Sequence, residues 1–188
     1  MTTLLVGRCG GGADADDTAD ERYSAPVATD APGADAVLPD GSTVPAGEWG
    51  AVTYMSTDDE TTVVAVRTTG VVVGEAGALA DVMVPGGPGL DEATPYYVGY
   101  TWVNVTGDES FSPLQNLVVA SPEGAVALAV PDDAARCEPR AATDYSADLG
   151  HEQRGCAVVV SAAGPPEALV FQGPEGSSTG VSFTVPAP

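Results

Sequence analysis

From about Leu38 onward the chain alternates short apolar runs, rich in valine, with clusters of turn residues. The runs are "EWGAVTYMS" (48–56), "TTVVAVRTTGVVVG" (61–74, with a break near Gly70), "LADVMV" (79–84), "PYYVGYTWVNVTG" (95–107), "LQNLVVAS" (114–121), "GAVALAV" (124–130), "GCAVVVS" (155–161), "EALVFQ" (167–172) and "GVSFTV" (180–185). β-branched residues pack well on a pleated surface, and no window carries the 3.6-residue period of an amphipathic helix. The "PGGPG" after 79–84 can continue neither a helix nor a central strand. Eight or nine strand-like runs separated by turn signals predict an all-β chain, an antiparallel β-sandwich.

The run at 95–107 is the richest in aromatic residues. Strand alternation puts Tyr96, Val98, Tyr100 and Trp102 on one face and Tyr97, Gly99, Thr101, Val103 and Val105 on the other. Val103 and Val105 are expected to point into the core. Tyr96, Tyr100 and Trp102 then cover a second apolar surface, a candidate binding surface. Residues 131–154 are polar and irregular and predict a long connection, with room for one helical turn at 132–136.

Residues 10–40 differ in texture: eight acidic residues and one arginine, with Ala, Gly, Pro, Ser and Thr making up most of the rest. Such a segment buries too little apolar surface to offset its ordering entropy, so it predicts a disordered acidic linker. Asp14, Asp16, Asp17, Asp20 and Glu21 lack the mid-loop glycine and distal glutamate of a calcium-binding EF-hand. The division is therefore 1–9, 10–40 as linker, and 41–188 as the folded domain.

The whole chain has 188 residues, 27 acidic against 6 basic, with a net charge of −21; all six basic residues are arginine. That charge speaks against nucleic acid as a partner and against direct docking on anionic lipid, both of which need a basic surface. No run approaches the roughly 18 apolar residues of a membrane span. "GSSTG" (176–180) fits G-x-S-x-G around Ser178, but that nucleophile elbow needs a helix after the serine and a later histidine, and the lone His151 comes earlier. His151, Cys137 and Cys156 lack the tight spacing of a zinc site, so no metal or cofactor is expected. The acidic clusters at 58–60 and 132–133 read as solvated turns.

"VVVGEAGALADV" (71–82), "TPYYVGYTWVNVTGDE" (94–109), Cys137 and "GCAVVV" (155–160) together resemble secreted lipoproteins of high-GC Gram-positive bacteria, whose extracellular domain is an immunoglobulin-like sandwich of unknown function. In that family a segment of the form TPYYV-x-x-x-V-x-N is a central strand; Thr94, Pro95, Tyr96, Tyr97, Val98, Val103 and Asn104 match it, while Gly99, Tyr100 and Trp102 depart from its polar or β-branched positions. The resemblance spans about 48–186 and implies no catalytic residues. It implies a lipid-anchored domain outside the membrane.

In such proteins a short apolar stretch ending in small residues precedes a cysteine that receives diacylglycerol. "LLVGRC" is similar, making Cys9 the candidate lipidation site and 1–9 the remnant of a signal segment, with Arg8 where a small residue is expected. The other reading of Cys9 is a free thiol on the terminus. Cys137 and Cys156 resemble the family's cysteine pair, and an even count in an exported domain favours a disulfide. Eighteen residues separate them. The expected function is a non-enzymatic cell-surface or secreted binding domain for an unknown extracellular or envelope protein, touching the membrane only through its lipid. The alternative is a secreted hydrolase using a carboxylate pair or Ser178. Two buried carboxylates in a concave pocket would favour the enzyme, and an exposed aromatic patch the binding domain.

Overall fold

The structure, a computed structural model, describes residues 26–55, 61–79, 93–106, 117–120, 126–128, 149–172 and 180–188. Among the described residues the strands are β1 (Thr43–Val44), which no expected run covers, and, at the valine-rich runs, β2 (Gly50–Met55), β3 (Thr61–Val73), β4 (Thr94–Asn104), β5 (Leu117–Ala120), β6 (Val126–Leu128), β7 (Glu152–Ser161), β8 (Ala168–Phe171) and β9 (Val181–Thr184). They form two sheets, one ordered β2-β3-β4-β7-β6 and the other β1-β9-β8-β5. Every pairing is antiparallel except β1 with β9, which is parallel. The expected runs at 79–84 and 132–136 fall almost wholly outside the described residues. The expected irregular connection ends early, because β7 begins at Glu152.

One apolar cluster lies between the sheets. Val52, Val64, Val66, Tyr96, Val98, Tyr100, Trp102 and Val159 come from the five-stranded sheet, and Val44, Leu169, Phe171, Val181 and Phe183 from the other. The aromatic face of β4 is therefore the core face. Tyr96, Tyr100 and Trp102 are 8%, 1% and 7% exposed, so they do not form the expected binding surface. Val103 is buried on the opposite face, and Val105 lies half-buried beyond the strand end. The reason is volume. Large rings fill the gap of about 10 Å between stacked sheets better than two valines do.

Glycines make room for those rings. Tyr100 pairs with Gly155 on β7, and a Cβ at Gly155 would collide with the tyrosine ring. A Cβ at Gly50 would sit 2.7 Å from Val44 and 2.9 Å from Phe183, where the two sheets approach. The Thr68 hydroxyl donates to the Thr184 carbonyl at 2.7 Å and links β3 to the opposite sheet.

Residues 26–38 correct the linker expectation for the described part of 10–40. The Glu152 N–H donates to the Pro26 carbonyl (2.8 Å), the Ala28 N–H to Gly150 (2.9 Å) and the Leu38 N–H to Ala51 (2.9 Å). Single bridges join Val27 to His151 and Val37 to Ala51, and Ala34–Ala36 form a 3-10 turn. Val27 stays 60% exposed, so the arm's first residues are held by backbone rather than by side-chain burial. A compositional reading weighs side chains and overlooks strand stretches with open N–H and C=O groups, which recruit any extended segment nearby. Leu38 adds an apolar contact to the core.

Two outcomes are expected. Removing residues 1–38 should cost about 2–3 kcal/mol, roughly 5–10 °C in the thermal midpoint for a chain of this size. Removing 1–25 should leave these contacts in place. Equal midpoints for the two truncations, measured by calorimetry, would show that the arm contributes nothing. The second outcome concerns Tyr100, whose buried hydroxyl has no hydrogen-bond partner among the described residues and whose burial pushes its pKa well above the ordinary tyrosine value. An acid raised on folding contributes stability below its unfolded pKa, about 10, and loses it as pH rises past that value. Tyr100→Phe should be neutral or stabilising by about 1 kcal/mol at pH 7 and should flatten the alkaline loss of stability above pH 10. A steeper alkaline loss in denaturant titrations would refute it.

Candidate functional site

β3 carries a register shift. Thr68 faces Tyr100 and Gly70 faces Gly99, so Thr69 and Gly70 together oppose one residue of β4. This bulge is the break visible in the sequence near Gly70. It switches the inward positions of β3 from Val64, Val66 and Thr68 to Val71, which packs on the core cluster. On the outer face it places two glycines side by side, with the Thr69 hydroxyl reaching over Gly99. The result is a basin of about 410 Å³ over β3, β4 and β7.

Gly70 and Gly99 form the floor of the basin. A Cβ at Gly70 would meet nothing within 4 Å, whereas a Cβ at Gly99 would lie 2.7 Å from the Thr69 hydroxyl. Tyr97 and Val72 line one end, and Arg67, Thr101 and Glu152 the other. Arg154 and Cys156 line the β7 side. Strand register orders these groups: Arg67 pairs with Thr101, and Thr101 with Arg154, so three strands present Arg–Thr–Arg along one rung.

The two arginines differ in their surroundings. Arg67 is 24% exposed at its side chain and is held from several directions. One terminal nitrogen lies 3.1 Å from Glu152 and the other 3.4 Å from Asp30 on the arm, while the guanidinium carbon sits 4.3 Å from the centre of the Trp49 ring. A cation over an indole face gains roughly 0.5–2 kcal/mol, more when water is excluded. Arg67 thus ties the arm, the start of β2 and the start of β7 to one another. Arg154 is exposed and has no ion-pair partner among the described residues.

Several expected site residues lie elsewhere. Tyr96 and Trp102 face the core, and Tyr100 belongs to it while its strand borders the basin. Cys9, Cys137 and Ser178 lie outside the described residues. Cys156 is half-buried and disulfide-bonded, with its partner outside the described residues. His151 forms a bridge with Val27 and is half-buried. Among the described residues no group of three or more His, Cys, Asp or Glu could hold a metal ion, and no helix is long and apolar enough to cross a membrane. Arg67, Arg154, Thr69 and the Gly70–Gly99 pair were not among the candidate site residues expected from the sequence. Their signal was an arginine inside a valine strand, with a glycine at the break that follows.

No family model, curated protein or solved structure matches the chain.

We propose Cys137 as the partner of Cys156. Unreduced domain should then weigh less than the reduced chain by the hydrogens of one disulfide, and Cys156→Ser should lower stability by roughly 3 kcal/mol. Two freely alkylated thiols at 137 and 156 in unreduced protein would overturn the pairing.

Proposed function

We propose that this chain is a non-enzymatic binding domain displayed outside the cell membrane, with its ligand seated in the basin on the outer face of β3, β4 and β7. The observation that carries this reading is the basin itself. Its volume of about 410 Å³ falls within the roughly 300–1,000 Å³ of small-ligand sites. It combines an apolar end at Tyr97 and Val72 with polar groups on rigid strands. The hydrolase alternative has less behind it. The described basin carries one carboxylate, Glu152, and Arg67 already holds it.

The proposed architecture is immunoglobulin-like. β3-β4-β7-β6 in one sheet and β5, β8 and β9 in the other follow the chain order of an ABED sheet facing a CFG sheet. β2 extends the first sheet, and β1 joins the second beside β9. A half-cystine at Cys156 supports an oxidising compartment outside the cytosol. With the resemblance to secreted lipoproteins of high-GC Gram-positive bacteria, this supports Cys9 as the lipid acceptor and residues 10–25 as the spacer. The partner is then a component of the envelope or the medium.

The test uses two substitutions in the full chain. Gly70→Val fills the floor of the basin at a position with open space and no positive φ, so folding should be unaffected or slightly favoured. Purified protein should co-sediment with isolated cell envelopes, and Gly70→Val should abolish this without lowering the thermal midpoint. Undiminished co-sedimentation of that variant would place the seat elsewhere. In cells fed labelled fatty acid, Cys9→Ala should remove the label and release the protein to the medium. Retention of an unlabelled Ala variant at the membrane would refute the lipid anchor.

A further inference from the structure

We infer that the basin is an anion seat, taking a ligand whose carboxylate, phosphate or sulfate group is gripped by Arg154 above the Thr101 rung. The inference rests on the reading of the basin as the ligand site and adds the chemical class of what enters it.

The first argument is where the cations lie. The described residues include seven acids, Asp30, Asp35, Asp40, Glu48, Glu75, Glu152 and Glu167, and two arginines. Both arginines line the basin, and of the acids only Glu152 does. In a chain of net charge −21 the described positive charge is gathered at one place. Arg67 and Arg154 share a rung two strand spacings apart, about 10 Å between backbones. Arg67 is neutralised by Glu152 and Asp30, whereas Arg154 makes no such pair among the described residues.

The second argument is what Arg154 lacks. Among the described residues it makes no ion pair: Glu152, two residues before it on β7, is held by Arg67. The planar donor fork of Arg154 matches an oxyanion in a bidentate pair, the strongest common form of charge-assisted hydrogen bond. The third argument is the floor. With no side chain at Gly70 or Gly99, a ligand can approach the backbone and the Thr69 hydroxyl that leans over Gly99. Tyr97 and Val72 at the far end then meet the uncharged body of the ligand, a small ring or short apolar group. Arg67, paired with Glu152 and Asp30, adds no net positive charge and serves as a fixed wall of the basin.

The full chain is titrated at low ionic strength with sodium glucuronate, with glucose and with sodium phosphate, and followed by calorimetry or amide chemical shifts. Glucuronate and phosphate should bind, and glucose at least tenfold more weakly, with affinity falling as salt rises. Comparison of the two anions separates a carboxylate seat from a phosphate seat. Arg154→Gln should weaken both at least tenfold with an unchanged thermal midpoint, since the side chain is exposed, and Arg154→Lys should keep part of the affinity. Glucose binding as tightly as glucuronate, or wild-type affinity in Arg154→Gln, overturns the anion class. If the equal sugar binding is also lost in Gly70→Val, the seat stands and only its chemistry falls. Anion binding that survives Gly70→Val places the anion outside the basin and overturns both readings. Failure of both anions to bind at millimolar concentration overturns the anion class, and envelope co-sedimentation then judges the seat by itself.

Discussion

A strand buried on both faces must satisfy two sets of neighbours at once, and β4 is that strand here. From Pro95 to Asn104 nearly every residue is buried, with Gly99 the half-buried exception. Its inward residues set the thickness of the core between the sheets. Its outward residues set the shape of the basin. Tyr100 and Gly99 are adjacent, so the largest fully buried side chain of the core and the missing side chain of the basin floor are consecutive residues of one strand. Neither strand beside β4 could be remodelled without disturbing both faces.

The bulge in β3 reconciles these demands. A regular β3 would have put Gly70 on the inward face and Val71 on the outward one. The extra residue at Thr69 turns Val71 to the core and leaves Gly70 opposite Gly99. Thr68, just before the shift, is fastened to the other sheet through the Thr184 carbonyl. The irregularity is thereby fixed in place, as expected of a bulge that shapes a site rather than one that merely ends a ladder.

Strands β2 to β9 were legible from their valine-rich runs because β-branched clusters between turn residues have few other structural uses. The break at Gly70 was visible as well, though its consequence was not, since a register shift depends on the partner strand. The face assignment of β4 failed because alternation divides residues into two sets without saying which set is inside. That choice was made by Gly155 and by the residues of the opposing sheet, distant in sequence. The arm was missed because its first residues dock through backbone groups, which composition does not record. Arg154 stands in a stretch read as irregular connection, so the rung it shares with Thr101 and Arg67 emerged only with the register of β7.

Asp30 stands near the end of the docked arm and reaches Arg67, which borders the basin. Any pull on the segment preceding Pro26 is borne first by the two backbone hydrogen bonds to Gly150 and Glu152, then by that ion pair, and only afterwards by Leu38 and the core. The arm therefore works as a mechanical fuse: it yields in stages under load, and its second stage ends on the guanidinium at the wall of the ligand seat.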